Sequence, residues 1–263
     1  MDSERCYRHG GLTMTHFSPG FIIPPSYAIT NSCSFDGSAE YMSLTPGAGP
    51  DSTTIRTFSA WYKRSSAAAD RDVLFCASDG AGNLGEILEI NASNKWYDNI
   101  FNYPSPGEVM QYITTATYTD TASWHHIHAT RSGTTEVLTF DGTVVSAFDT
   151  STAPGASDPG YFGTSGYVHR IGSITWAARQ YFAGLLADVI YLDGVAEPAS
   201  SFITGAGGSP KDPSGLTFGT RGFWLDFKDN GNSGINLGFD AANSNDFTPT
   251  AMAAGNQSTD VPT

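Results

Sequence analysis

Short segments in which apolar and polar residues alternate recur along most of this chain, and turn residues separate them. In residues 57–63, the side chains of Phe58, Ala60 and Tyr62 fall on one face, because successive side chains of a strand point to opposite sides. Residues 181–192 are apolar on both faces, which predicts a central strand covered on both sides. Further predicted strands, rich in apolar, β-branched and aromatic residues, cover residues 73–77, 84–90, 111–118, 137–140 and 143–145.

The turn signals between these segments include several Asp-Gly pairs. Asp-Gly between two β segments is the strongest short hairpin signal, because both turn residues must accept a positive φ. It occurs at residues 141–142, and the same pair recurs at residues 36–37 and 193–194. Helix is nearly absent: the one candidate is a single turn over residues 197–202, with Pro198 near its start.

These signals predict an all-β fold, a sandwich or a barrel, that occupies residues 32–263. Residues 150–167 and 204–222 are rich in Gly, Ser and Pro. We interpret both as loops inside the domain, because strand-like segments resume after each of them.

Residues 1–31 differ from the rest and are interpreted as an extended N-terminal arm, with a disordered tail as the alternative. The arm mixes charged residues with Pro24 and Pro25, and consecutive prolines favour extended backbone. An arm of this kind suits attachment to a partner. The predicted anchoring residues are the apolar ones, Phe17, Phe21, Ile22 and Ile23.

Composition narrows the function classes. Of the 263 residues, 40% are hydrophobic and only 15% are charged, and the net charge is −13. A duplex-DNA binder needs a basic surface that displaces counterions from phosphates, so we expect no nucleic-acid partner. No apolar window is long enough to cross a membrane, and the first residues lack the apolar centre of a secretory signal. The three cysteines, Cys6, Cys33 and Cys76, are predicted to be reduced.

Several short motifs follow one another in a characteristic order. They are CSFDGSAEYMSLTP at 33–46, FSAWYKR at 58–64, WHHI at 124–127, LTFDG at 138–142, FAGLLADV at 182–189, YLDG at 191–194, FWLDF at 223–227 and LGFDAANSNDF at 237–247. In this order they resemble the laminin-G-like, concanavalin A-like domains of tailed-phage virion proteins. The resemblance covers about residues 32–263 and leaves out the arm.

The resemblance implies a concanavalin A-like jelly-roll sandwich and a structural protein of the virion, assembled in the cytoplasm of a host bacterium. Such a protein is a head decoration, a fibre or a tail-associated appendage, held by other virion proteins through residues 1–31. We expect a homo-oligomer, because virion appendages follow the symmetry of the particle. The alternatives are an adhesin dedicated to host polysaccharide and, third, a divergent glycoside hydrolase.

Catalysis is not expected, because the carboxylates are wrongly spaced. Retaining glycosidases hold a nucleophile and a general acid about 5–5.5 Å apart in one cleft. Glu86 and Glu89 are three positions apart, which puts them on opposite faces of a strand. Asp226 and Asp229 have the same spacing.

Glycan binding would use surface aromatic residues with polar neighbours, because flat apolar rings pack against sugar rings. The candidates are Trp96, Tyr97, Asp98, Tyr161 and Trp176. The same aromatic residues could instead make protein contacts or cover the core.

Calcium is the candidate metal, since hard cations take oxygen ligands from turn-prone loops. The candidate ligands are Asp229, Asn232, Asp240 and Asn243. The alternative, which we favour, is that these residues form turns through side-chain hydrogen bonds.

Three other polar residues have predicted structural roles. His126 and His128 share a strand face and could bind a metal, but packing inside the sandwich is favoured. Asp188 lies in an apolar strand, on the face predicted to carry Leu186 and Ile190, and must find a partner there. Arg170 or a tyrosine hydroxyl is the expected partner.

Overall fold

The fold is seen in a computed structural model, which describes residues 27–67, 70–105, 107–178, 180–229 and 236–263. The predicted anchoring residues Phe17, Phe21, Ile22 and Ile23 lie outside the described residues. The described residues form sixteen strands: β1 (Ser32–Asp36), β2 (Tyr41–Leu44), β3 (Ile55–Arg64), β4 (Asp72–Ser78), β5 (Leu84–Ile90), β6 (Trp96–Asn102), β7 (Gly107–Thr114), β8 (His125–Ser132), β9 (Thr135–Phe140), β10 (Thr143–Val144), β11 (Phe148–Thr152), β12 (Val168–Ile171), β13 (Ala183–Asp193), β14 (Phe223–Leu225), β15 (Thr248–Thr250) and β16 (Gln257–Ser258).

The strands form two antiparallel sheets, which confirms the predicted all-β sandwich. Sheet A has the order β10-β9-β8-β3-β13-β1-β16, and β14 pairs with the second half of β13. Sheet B has the order β11-β7-β6-β5-β4-β12-β2-β15. Two 3-10 turns, Ala199–Ser201 and Ala254–Asn256, are the helical elements in the described part of the chain, and the first lies inside the predicted turn. In that part, no helix is long and apolar enough to cross a membrane.

The inner faces of the two sheets enclose the main core. Phe58, predicted to point inward from β3, stacks on Phe75 of β4 at 5.7 Å between ring centroids. Phe75 also stacks on Phe162 at 4.1 Å and meets the edge of Phe223 at 5.5 Å. Each such side chain contributes about 1.5–3 kcal/mol on burial, so this aromatic cluster joins sheet A, sheet B and the loop before β12 into one unit.

The outer face of sheet A is covered as well. Trp61 of β3 and Ala187 of β13 pack there against Ile29, Ile203 and Val261. The first described residues, the segment after β13 and the end of the chain therefore lie together on this face. The prediction that the strand at 181–192 is covered on both sides is confirmed.

The face predicted for Asp188 needs a correction. A bulge interrupts the pairing of β13 with β3 between Ala187 and Ile190, and Asp188 has φ +42°. The extra residue turns Asp188 outward, whereas Leu186 points into the core. Asp188 accepts hydrogen bonds from the Tyr27 hydroxyl at 2.7 Å and from Trp224 Nε1 at 2.8 Å.

The tyrosine expected as the partner of Asp188 is therefore Tyr27, and Arg170 does not serve. The Arg170 guanidinium instead lies 4.1 Å from the centroid of the Tyr41 ring, and its Nη1 donates to the Ile174 carbonyl. Burial raises the pKa of Asp188 to about 6.

The Asp-Gly pairs have different roles. Asp141 and Gly142 have φ +47° and +74° and close the β9–β10 hairpin as predicted. Residues 36–37 do not close a hairpin, because β1 belongs to sheet A and β2 to sheet B. Residues 193–194 lead instead into the long segment that covers sheet A. Cys33 and Cys76 are buried free thiols, and Cys6 lies outside the described residues.

Candidate functional site

The outer face of sheet B carries a group of aromatic rings that the main core does not use. We call it the aromatic face and define it by Tyr97, Phe101, Tyr103 and Trp176. Tyr97 and Phe101 point outward from β6, because they alternate with the inward-facing Trp96 and Ile100. Tyr103 follows the same strand and is 43% exposed.

Three of these rings form a row of contacts. Phe101 is buried and contacts the other two, Trp176 at 5.4 Å and Tyr103 at 5.7 Å, measured between ring centroids. The Tyr103 hydroxyl donates to a carboxylate oxygen of Glu108 on β7. Trp176 and Tyr103 are thus fixed beside Phe101 while part of each ring reaches the surface.

The loop after β12 brings Trp176 to this row. It folds back over sheet B, where Ile174 packs among Val73, Cys76 and Ile87. The Thr175 and Ser78 hydroxyls form a hydrogen bond that fixes the loop to β4. Trp176 rests directly on Gly82, where a Cβ atom would lie 2.7 Å from the indole Cγ.

Tyr97 forms the other part of the aromatic face. The Arg71 guanidinium lies 5.6 Å from the centroid of its ring, and Gln111 Nε2 donates to its hydroxyl at 3.3 Å. Arg71 also donates to Glu89 Oε1 at 2.7 Å. Aromatic rings next to amide, guanidinium and carboxylate groups form a surface that can pack against a sugar ring and hydrogen-bond its hydroxyl groups.

Glu89 is an unusual component of this face. Its side chain is fully buried, and burial raises the pKa of its carboxyl to about 7, with the charge of Arg71 opposing the shift. Its Oε2 accepts no hydrogen bond from any described residue. The side-chain amide oxygen of Asn99 (Oδ1) and Glu108 Oε2 are likewise buried acceptors to which no described residue donates.

Two of the five predicted glycan-binding residues belong to the aromatic face, Tyr97 and Trp176. The expectation that Trp96 is a surface residue needs a correction: it is 1% exposed and packs in the core between the sheets. Asp98 also points inward, where Arg56 Nη2 contacts both of its oxygens at 3.2 Å. Tyr161 is 8% exposed, packs in the core between the sheets and stacks on Tyr167.

Sequence reasoning missed Phe101, Tyr103, Arg71 and Gln111. The first two could have been found by extending the alternation of β6 from Tyr97, which places every second residue on the same face. Arg71 and Gln111 come from other strands or loops, and their position depends on the order of the strands in sheet B.

The carboxylates of β5 lie on opposite faces, as their spacing predicts. Glu86 points inward and contacts Arg56 of β3, and its Oε2 accepts from the backbone amides of Tyr161 and Phe162 at 2.7 and 3.1 Å. Arg56 also contacts Glu136 of β9 at 3.3 Å. Arg56 is thus bound by three buried carboxylates from both sheets, and this group fastens the sheets together.

His126 and His128 are packing residues of sheet A. His126 Nε2 lies 2.8 Å from Ser59 Oγ, and His128 Nε2 lies 2.9 Å from the Glu197 carbonyl oxygen. Both rings are buried, and burial lowers the pKa of His126 to about 3 and that of His128 to about 4. Among the described residues, no group of three His, Cys, Asp or Glu side chains could hold a metal ion.

The predicted calcium ligands are only partly described, and Asn232 lies outside the described residues. Asp240 is 1% exposed, and its carboxylate accepts from the backbone amides of Trp224, Ala242 and Asn245 at 2.9–3.0 Å. Asn243 Nδ2 donates to the Gly222 carbonyl at 2.8 Å. The bonds from Ala242 and Asn245 are the turn-forming bonds that we favoured, and those with Trp224 and Gly222 fasten this turn to a distant segment. Calcium binding by these residues and Asp229 stays a prediction.

A sandwich of two antiparallel sheets is an architecture found in many lectin domains. The model of the concanavalin A-like lectin/glucanases superfamily, under the family heading Laminin G 3, matches residues 36–200. The chain belongs to this superfamily. A comparison with curated protein sequences gave no match.

Similar solved structures share the fold at low sequence identity. A "putative carbohydrate binding protein" of Bacteroides ovatus has a TM-score of 0.57 and 18% identity, over 89% of this chain and 61% of that one. This chain thus spans less than two thirds of the Bacteroides protein. Domains LG4-5 of the mouse laminin α1 chain have a TM-score of 0.46 and 19% identity, over 62% of this chain and 42% of that one. The CBM40 domain of a Ruminococcus gnavus IT-sialidase has a TM-score of 0.41 and 14% identity, over 61% of this chain and 91% of that one.

Proposed function

We propose that this chain is a non-catalytic glycan-binding domain, and that the aromatic face is the surface that binds the glycan. The observation that carries the proposal is the row of Trp176, Phe101 and Tyr103, with Tyr103 43% exposed. Exposing a large ring to water forgoes the stabilisation that its burial would give. A ring held in that state by packing and a hydrogen bond is suited to cover a ligand.

The surroundings of these rings support the proposal. Arg71, Gln111 and Glu108 add hydrogen-bonding groups beside Tyr97 and Tyr103. Sheet B, a rigid element, supplies most of the site, so few side chains need to be ordered when a ligand binds. The similar Bacteroides ovatus structure is described as that of a carbohydrate binding protein, which supports a carbohydrate ligand here as well.

The proposal is tested by glycan-array screening followed by titration calorimetry on the best ligand. Trp176→Ala and Tyr103→Ala should each weaken binding at least about fivefold, since aromatic stacking on a flat ligand contributes about 1–3 kcal/mol. Phe239→Ala is the matched control, because Phe239 is 40% exposed but outside the aromatic face. If the wild-type protein binds no glycan, or if all three variants bind as it does, the proposal is wrong.

We also propose that the domain is displayed on a virion, attached through the N-terminal arm. This rests on the resemblance of the motifs to tailed-phage virion proteins, and the host polysaccharide would then be the ligand of the aromatic face. Tyr27 and Ile29 pack on sheet A, so a deletion should stop at residue 26. The truncated protein should fold and bind glycan but fail to enter particles, and normal incorporation would contradict attachment through the arm.

A further inference from the structure

We infer that the aromatic face selects glycans with free amino groups over N-acetylated and acidic glycans. The inference rests on the proposed function and names the ligand class of the same surface. It follows from the acceptors next to the rings to which no described residue donates.

Three polar atoms next to the aromatic rings, without a partner among the described residues, are acceptors, whereas the donor without such a partner on this face of sheet B, Arg170 Nε, belongs to a side chain that lies over Tyr41. Glu89 Oε2 and Asn99 Oδ1 belong to side chains that are 0% and 2% exposed, and no described residue donates to either. Glu108 Oε2, at the other end of the row, is also without a donor among the described residues. A buried acceptor without a donor costs about 1–3 kcal/mol, so a ligand that donates to it recovers this free energy.

These acceptors extend along one line of the sheet. Glu89 pairs with Tyr97, Asn99 lies two residues further along β6, and Glu108 pairs with Phe101. Tyr97 and Phe101 are four positions apart along β6, which is about 13 Å. The line is therefore long enough for an oligosaccharide, with aromatic rings beside its two ends.

The charges on the aromatic face also favour a ligand that has an amino group. Arg71 is a cation that contacts a ring of the aromatic face, and its guanidinium is already bound by Glu89 at 2.7 Å. Glu108 adds a second carboxylate, and the chain as a whole has a net charge of −13. An ammonium group on a sugar supplies both donors and a compensating charge, and charge-assisted hydrogen bonds are about twice as strong as neutral ones. A carboxylate on a sugar has no donor to offer and is repelled.

The test compares three probes by titration calorimetry: a glucosamine oligomer, its N-acetylated counterpart of equal length, and an oligogalacturonate. The wild-type protein should bind the glucosamine oligomer at least tenfold more tightly than the N-acetylated one, and the oligogalacturonate most weakly. Glu89→Gln keeps the shape of the side chain and removes its charge, so the ratio between the first two probes should fall several-fold. If Glu89→Gln does not fold, Glu108→Gln takes its place, because Glu108 is only half-buried, and it should lower the same ratio.

Asp212→Asn is the control, because it makes the same change in net charge at an exposed residue beside the outer face of sheet A. It should leave the ratio unchanged. Equal affinity for the three probes, tighter binding of the acidic probe, or an equal loss of the ratio in Asp212→Asn would overturn the inference while glycan binding itself stands. Binding of no glycan by the wild-type protein would overturn the proposed function as well.

Discussion

Arg56 holds three buried carboxylates together, and replacing it should show how much the two sheets depend on this contact. Arg56 is 4% exposed and contacts Glu86 and Asp98 of sheet B and Glu136 of its own sheet. Arg56→Met keeps the length of the side chain and removes the cation. Breaking a buried ion pair from one side costs about 3–5 kcal/mol, because the remaining charge stays buried without compensation.

That cost is a large part of the stability of a domain, which is about 5–15 kcal/mol in total. Urea unfolding followed by tryptophan fluorescence measures it. With a slope of about 3 kcal/mol per molar urea for a chain of this size, the midpoint should fall by at least about 1 M. Arg221→Met is the matched control, since Arg221 is half-buried and makes one long hydrogen bond of 3.4 Å to Gly49, and it should change stability by about 0.5 kcal/mol.

The effect of pH gives a second, independent readout. Burial raises the pKa of Asp98 and of Glu136 above their ordinary values. A carboxyl whose pKa is higher in the folded state stabilises the fold below its unfolded pKa, and this contribution is lost as pH rises. Without Arg56 both pKa values should rise further, so the deficit of Arg56→Met should shrink by about 1–2 kcal/mol between pH 7 and pH 5. A loss below 1 kcal/mol at pH 7, or a deficit that does not change with pH, would refute this reasoning.

Three further predictions concern single positions. Gly82→Ala should weaken glycan binding measured by calorimetry, because the added Cβ displaces Trp176. Gly80→Ala is its control and should not weaken binding, since Gly80 also has a left-handed φ but nothing lies close to its added Cβ. His126→Gln should make the protein less sensitive to acid, because the pKa of His126 is about 3 in the folded state and about 6.5 in the unfolded state. Between pH 7 and pH 5 the unfolding free energy of the wild-type protein, measured in urea, should therefore fall by about 2 kcal/mol more than that of the variant. Asp240→Ala leaves three backbone amides without their acceptor and should lower the unfolding free energy by at least about 2 kcal/mol, and a smaller loss would contradict the turn-forming role.

Strand periodicity predicted most of the sandwich from the sequence. β5 begins and ends at the predicted residues, and β3 and β4 extend only one or two residues beyond the predicted segments at each end. In β3 and β5 the side chains alternate between the two faces, so the periodicity of the sequence reports the fold directly. In β4 a bulge between Val73 and Phe75 puts Leu74 and Phe75 both in the main core, although the ends of the strand are close to the predicted ones. The bulge at Asp188 could not be predicted, because one extra residue changes the face of a side chain without changing the composition of the strand.

The candidate site was only partly predictable for a related reason. Trp96 and Tyr97 are neighbours of similar chemistry, so one had to face the core and the other the outside, and alternation alone does not say which. The choice depends on which face of sheet B the other sheet covers. The loop that carries Trp176 has no periodicity, and its return across β4 and β5 depends on contacts with residues distant in sequence, such as Gly82 and Phe101.

The cover on the outer face of sheet A gives the domain a front and a back. Tyr27 and Val261, close to the two ends of the described chain, both pack on the covered sheet, whereas Trp176 and Tyr97 lie on the far side of the other sheet. A segment joined to the chain near either of these residues would lie on the side of sheet A, opposite the aromatic face. A tether attached there would hold the domain with its aromatic rings turned outward, so the same packing that closes sheet A also sets the direction in which the molecule is presented.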